Sequence, residues 1–233
     1  MKPHTRGMRS ADTVWLPPQR WLRPLQIAAL SLLLLGPSVG AGTAQPAPTS
    51  KTQTSKIQTS RTQIANTQTA KTHVYLLRGA FNIFSLGLDG IAAKLRRLGI
   101  YATVDNYLGW QGLADQAAAD YKSGRLKTII LVGHSSGAVA VTDMAARLGQ
   151  LGVPVKLAIG LDPTAHDTAS GHVDRYINYY IGNGLGVAVD KGRQFSGTLQ
   201  NVDMEKHPDL GHFNIDKDPA LQEQVIKQIR AAL

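Results

Sequence analysis

Residues Thr128-Ile129-Ile130-Leu131-Val132 run straight into Gly133-His134-Ser135-Ser136-Gly137, and an amphipathic stretch follows at once. The apolar run has no polar alternation and is rich in β-branched residues, as a strand buried on both faces of a parallel sheet should be. The stretch after it spaces Val139, Val141, Met144, Ala145, Leu148 and Leu151 at nearly helical intervals. Strand, tight turn and helix are therefore compressed into about two dozen residues. A turn that sharp crowds the residues on either side of the serine, and only glycine fits comfortably at both flanks. The pentapeptide alone also suits an unreactive Gly/Ser turn. The strand before it and the helix after it favour a serine hydroxyl lifted clear at the carboxyl edge of a sheet, where attack chemistry is the natural use.

The same alternation extends over residues 73–233. Short strands are expected at His73–Leu77, Ile100–Val104, Val155–Leu161, Val173–Ile181 and Gly197–Val202. Between them, one helix presents Leu88, Ile91, Ala92, Leu95 and Leu98 on a single face. A second, around Gln111–Tyr121, presents Leu113, Ala117 and Tyr121. A last helix opens at Asp218-Pro219, with Asp as cap and Pro at its first position, and turns Leu221, Val225, Ile229 and Leu233 to one side. Strands alternating with helices predict an α/β fold: a mostly parallel sheet of about six strands, helices on both faces.

Residues 1–72 are different in kind. They hold nine of the 25 Lys/Arg but one of the 16 acids, so the net charge of +9 is +8 from this stretch and +1 from the rest. The part expected to fold is nearly neutral, and the basic total gives no reason to expect a nucleic-acid partner. Arg20 and Arg23 precede an apolar run from Leu25 to Leu35, then Gly36-Pro37 and small residues to Ala44. That is the layout of a cleaved export signal over 1–44, which predicts a periplasmic or secreted protein. The alternative, a retained membrane anchor, is disfavoured because a span needs roughly twenty apolar residues. Residues 45–72 are polar and repeat loosely in fives, a period that fits no helix or strand face, so a disordered tether is expected. Lys51, Lys56, Arg61 and Lys71 within it allow weak association with an anionic surface. With no cysteine, the chain has neither disulfides nor a thiol nucleophile.

Four polar features fall at predicted strand ends: Arg78-Gly79-Ala80, Ser135, Asp162 and His212. Functional groups of parallel α/β sheets gather at that edge. A serine hydroxyl needs a base to become a nucleophile, and imidazole serves. A carboxylate fixes the imidazole tautomer and stabilises its cation. His207 is the rival base, and Asp190 the alternative acid. His166, Asp167 and His172 match no metal-ligand spacing, so neither metal nor cofactor is expected. Gly182-Asn183-Gly184-Leu185-Gly186 opens no helix and is expected to be a flexible rim near the pocket rather than a nucleotide loop.

With Gly-His-Ser-x-Gly after a buried strand and Ser, Asp and His in that chain order, residues 73–233 resemble the α/β-hydrolase superfamily, in its small lipase/thioesterase-like style. The resemblance implies a minimal hydrolase fold without a cap domain, beginning at the family's third strand. It implies a Ser135–Asp162–His212 triad, and an oxyanion hole from the backbone N–H of Ser136 with that of Ala80 or Phe81. The family often carries His-Gly where this chain has Arg78-Gly79, but backbone donors do not depend on that side chain. Phe81, Phe84, Leu86, Tyr107 and Trp110 lie on neighbouring loops and are candidates for an apolar substrate pocket. The function expected is hydrolysis of a small-molecule or lipid carboxylic ester or thioester through an acyl-enzyme. The alternative is a hydrolase-like protein without turnover that binds a lipid or a protein.

Overall fold

Two strands, β1 (Thr72–Arg78) and β3 (Thr128–His134), pair side by side in the computed structural model of this protein, which describes residues 71–80 and 85–233. The expected signal, nearly all of the expected tether, and Phe81 and Phe84 lie outside the described residues. Thr72 belongs to β1, so the ordered chain includes a residue that the sequence assigned to the tether.

From β1 the chain passes through α1 (Gly87–Arg97) to β2 (Ala102–Asn106), which pairs on one side of β1. A 3₁₀ turn (Tyr107–Gly109) leads into α2 (Trp110–Lys122), and the chain returns to β3 on the other side. Beyond β3 come α3 (Ser136–Gln150), β4 (Leu157–Leu161), β6 (His172–Tyr180) and β8 (Ser196–Asp203), then α4 (Pro219–Ala231). The sheet order is β2-β1-β3-β4-β6-β8, and all five pairings are parallel. The fold class is therefore the α/β one expected. Every strand of this sheet ends on the same edge, and winding reverses between β1 and β3, which opens a crevice there.

Period-two packing explains the central strands. Val74, Leu76, Ile130 and Val132 face one layer with Leu88, Ile91 and Leu95 of α1 and Val225, Ile226 and Ile229 of α4. Tyr75, Leu77, Ile129 and Leu131 face the other, with Ala114 and Ala117 of α2 and Val141, Met144 and Leu148 of α3. Each fully buried Leu, Ile or Val contributes about 1.5–3 kcal/mol, so these two layers dominate stability.

The differences from expectation lie at element edges. Leu98 ends α1 and is 50% exposed instead of completing its apolar face. In α2 the buried residues are Ala114, Ala117 and Ala118, while Leu113 and Tyr121 are only partly covered. Small side chains let α2 approach α3 closely, and the larger ones are displaced to the seam. β5 (Asp167–Ala169) and β7 (Val189–Lys191) form an unanticipated two-stranded parallel ribbon. Among the described residues, no helix is long and apolar enough to cross a membrane.

Candidate active site

Ser135 occupies the bend between β3 and α3 with φ 61° and ψ −128°. A non-glycine residue held there stores roughly 1–3 kcal/mol of strain, so the surroundings must enforce it. They do: the Ser135 N–H donates to Leu161 O at 2.9 Å, and Ala138 N–H donates to Ser135 O at 2.9 Å. The flanking glycines serve close approach rather than unusual dihedrals. A Cβ on Gly133 would overlap the carbonyl of Gly137, and one on Gly137 would overlap that of Leu77 in β1. Gly79, just past β1, lies so near that a Cβ would meet Ser135 Cβ at 2.8 Å. The strained serine thus stands in the crevice between β1 and β3.

The fold is α/β, with this bend at the carboxyl edge of a parallel six-stranded sheet.

Asp162 follows β4 with φ 52° and is completely buried. Its Oδ1 accepts from Ile181 N–H at 2.8 Å, and its Oδ2 lies 2.6 Å from His212 Nδ1. His212 comes from the loop between β8 and α4, and its Nε2 lies 3.0 Å from Ser135 Oγ. A carboxylate can only accept, which assigns the proton to Nδ1 and leaves the Nε2 lone pair to receive the Ser135 hydroxyl proton. Three residues 77 positions apart at the extremes are joined in one line. Of the rivals, Asp190 is exposed on β7, in register with Thr168, and the His207 N–H donates to Met204 O.

The His212 loop is anchored by Asp216, which carries no motif signal in the sequence. Asp216 is buried, and its Oδ2 accepts from Gly87 N–H at 2.8 Å, capping α1 from a distant part of the chain. Gln222 Nε2 donates to the Asp216 and Gly87 carbonyls at 2.9 and 3.1 Å. Burial pushes the Asp216 carboxyl up to about 6. Within the loop, Asn214 Oδ1 accepts from Gly211 N–H at 2.7 Å, and Asn214 Nδ2 donates to Asp209 O at 2.9 Å.

His134 is the second residue of the motif, at a position the pattern leaves free. It is fully buried, with Nδ1 2.8 Å from Ser85 Oγ and Nε2 2.8 Å from the backbone carbonyl of His212. Burial, with the nearby His212 charge, lowers it to about 4 against the upward pull of its bond to the His212 carbonyl. Gly186 belongs to the stretch whose sequence predicts a flexible rim. Instead it packs onto the acid, where a Cβ would overlap Asp162 Oδ1. Arg78 pairs through both Nε and Nη2 with the Asp89 carboxylate in the first turn of α1, which holds the chain after β1.

A groove of about 340 Å³ starts at Ser136 and runs along Val139, Ala140 and Asp143 of α3. Its opposite wall is Tyr107, Leu108, Trp110 and Gln111, and Thr164 and Ala165 close it. Tyr107 and Trp110, two of the expected pocket residues, line it; Leu86 does not and is 54% exposed. Burial raises the Asp143 carboxyl, and the charge of Asp167 adds to the effect. Ser136 N–H opens the first turn of α3, where backbone donors have no intrahelical acceptor. Ala80 directly follows Gly79, which packs on the serine. Among the described residues, no group of three or more His, Asp or Glu side chains is placed to hold a metal ion.

No family model matches the chain. No curated protein matches it. Among solved structures, similar ones include a candidate hydrolase of the alpha/beta superfamily from Xanthomonas campestris pv. campestris, at 16% identity and a TM-score of 0.43 over 68% of this chain and 98% of that one. Two structures of acetyl xylan esterase are similar at 14% and 13% identity, each with a TM-score of 0.44 over 70% of this chain and 98% of theirs. Likeness at this level carries no chemistry across.

Proposed function

We propose that this protein is an exported serine hydrolase that cleaves a small carboxylic ester, or a thioester, through an acyl-enzyme. The observation that carries the reading is the unbroken line from Ser135 Oγ through His212 to the buried Asp162 carboxylate. Ser135 Oγ attacks the substrate carbonyl as His212 Nε2 takes its proton. Asp162 holds the ring orientation and stabilises the imidazolium, which then protonates the leaving group. Water repeats the sequence on the acyl-enzyme and frees Ser135. The negative oxygen of each tetrahedral intermediate is held by the N–H of Ser136 and that of Ala80 or Phe81. Removing one such donor costs on the order of 3–4 kcal/mol of transition-state stabilisation.

The groove beside Ser136 takes the acyl or alcohol arm. At about 340 Å³ it is at the small end of ligand pockets, and Tyr107, Leu108, Trp110 and Val139 make it mainly apolar. Short arms therefore fill it, and longer ones extend past Leu108, which is 74% exposed. Export follows from the basic and apolar layout of residues 1–44.

A fluorophosphonate probe tests the core of this reading. Covalent labelling of wild type, absent in Ser135→Ala, is expected. A folded wild type that takes no label points instead to a binding protein built on the hydrolase fold. A panel of p-nitrophenyl esters tests the groove: kcat/KM should climb by up to roughly tenfold per added methylene and then level off once the groove is filled. Mass measurement of the exported protein reads the cleavage site.

A further inference from the structure

We propose that His134 is a positioning residue: with Ser85 behind it, its ring holds the main-chain carbonyl of His212 and so sets where the catalytic imidazole stands over Ser135. The inference rests on the serine-hydrolase reading of Ser135, His212 and Asp162.

The direction of each bond is fixed by chemistry. The His212 carbonyl can only accept, so the His134 Nε2 facing it at 2.8 Å carries the proton. In the neutral ring Nδ1 is then an acceptor, and the Ser85 hydroxyl at 2.8 Å donates to it. With its proton spent, Ser85 Oγ accepts the Gly79 N–H at 3.1 Å. Three bonds therefore run in one direction, from the backbone behind the nucleophile, through two buried side chains, to the backbone of the base. The His134 and His212 rings also pack against each other at a tilt of 34°, with centroids 5.0 Å apart.

Each link joins a part that the reaction needs. Gly79 packs on Ser135 and leads into Ala80, a proposed oxyanion donor. His134 precedes the nucleophile, and its ring is fixed by the same elbow. His212 arrives on a loop; its ring bonds to Ser135 and Asp162 and packs against the rings of Phe213 and His134. Its backbone is steadied by the Asp216 and Asn214 bonds on one side and by His134 on the other. A neutral imidazole suits this place because it offers a donor and an acceptor at opposite edges of one rigid ring. Leucine offers neither. Glutamine offers both at one end and reaches Ser85 or the carbonyl, not both.

The test measures folded variants with p-nitrophenyl acetate and follows the His212 ring nitrogens by NMR. Ser85→Ala is expected to lower kcat about tenfold while KM stays within about twofold, because a sub-ångström displacement costs rate rather than binding. His134→Gln should lose roughly thirtyfold and His134→Leu more, again in kcat. The His212 ring resonances should move in Ser85→Ala although that side chain does not touch the ring. A kcat in Ser85→Ala within about twofold of wild type would overturn the proposal, and so would a loss confined to KM. Should the buried His134 variants fail to fold, Ser85→Ala decides alone. If wild type takes no fluorophosphonate label, the hydrolase reading fails and the NMR arm still discriminates: unmoved His212 resonances in Ser85→Ala refute the link.

Discussion

α3 and α4 both start at a residue whose side chain can cap a helix, and they use it in opposite ways. Asp218 sits in extended geometry at φ −61° and ψ 122°, and its carboxylate accepts from Leu221 N–H at 2.7 Å, with Pro219 next. Ser135 sits at φ 61° and ψ −128°, and its hydroxyl caps nothing, because it faces His212. One helix start satisfies every local rule and serves stability. The other breaks two local rules together, where the His212 imidazole meets its hydroxyl. Such conflicts between local preference and tertiary arrangement are expected at functional sites.

Ser135→Gly separates the two ends most sharply. Glycine accepts the strained dihedrals, so the variant should gain about 1 kcal/mol of stability by urea unfolding. It should also lose on the order of 10⁴–10⁶-fold in kcat with p-nitrophenyl esters. A variant less stable than wild type would show that the bend is not strained as described.

Asp162→Asn should lower kcat by about 10⁴-fold, because the amide favours the wrong tautomer of His212, with KM little changed. Asp190→Asn, on the exposed ribbon, should leave steady-state rates within about twofold. The reverse pattern would move the acid to β7.

Acid titration compares buried groups of opposite sign. His134 and His73 are both lowered to about 4, chiefly by burial. Below an unfolded pKa of about 6.5 the unfolded chain binds protons that these folded rings refuse, so stability falls as pH drops from 6.5 toward 4. For fully buried His134 the loss is on the order of 3 kcal/mol, and half-buried His73 adds less. Asp216, raised to about 6, works the other way, since its protonated form is favoured in the folded state. It regains stability as pH falls from about 6 toward 4. Urea unfolding across this window should therefore show a net acid loss in wild type and a steeper one in Asp216→Asn. Equal slopes would mean that Asp216 does not titrate there.

The smallest effect belongs to the ordinary helix start. Asp218→Ala should cost about 1 kcal/mol of stability and leave kcat unchanged. A large loss of activity would show that α4 does more than support the His212 loop.

How legible these parts were depended on the range of the interactions involved. Asp218-Pro219 could be read directly, because a cap and an N1 proline act within one turn. The β3 run and the elbow glycines could be read because burial on both faces and a cramped bend leave few residue types. Leu98 and Leu113 were read too generously: the period placed them on an apolar face, but a helix terminus and a close α2–α3 approach decide what is covered. β5 and β7 are each three residues long, too short to show a period. Gly186 could not be interpreted at all without the Asp162 carboxylate lying against it.

From its residue order alone, this chain specified alternating strands and helices, a hydroxyl at a cramped bend between two glycines, and an acid and an imidazole downstream in matching order. Local sterics and hydrophobic period suffice for that, since both act between near neighbours. Only the folded structure put Asp162 rather than Asp190 on His212, gave His134 and Ser85 their partners, and brought Gly79 against Ser135. Those choices depend on strands from distant parts of the chain ending at one edge, and contacts across such distances leave no periodic trace in sequence.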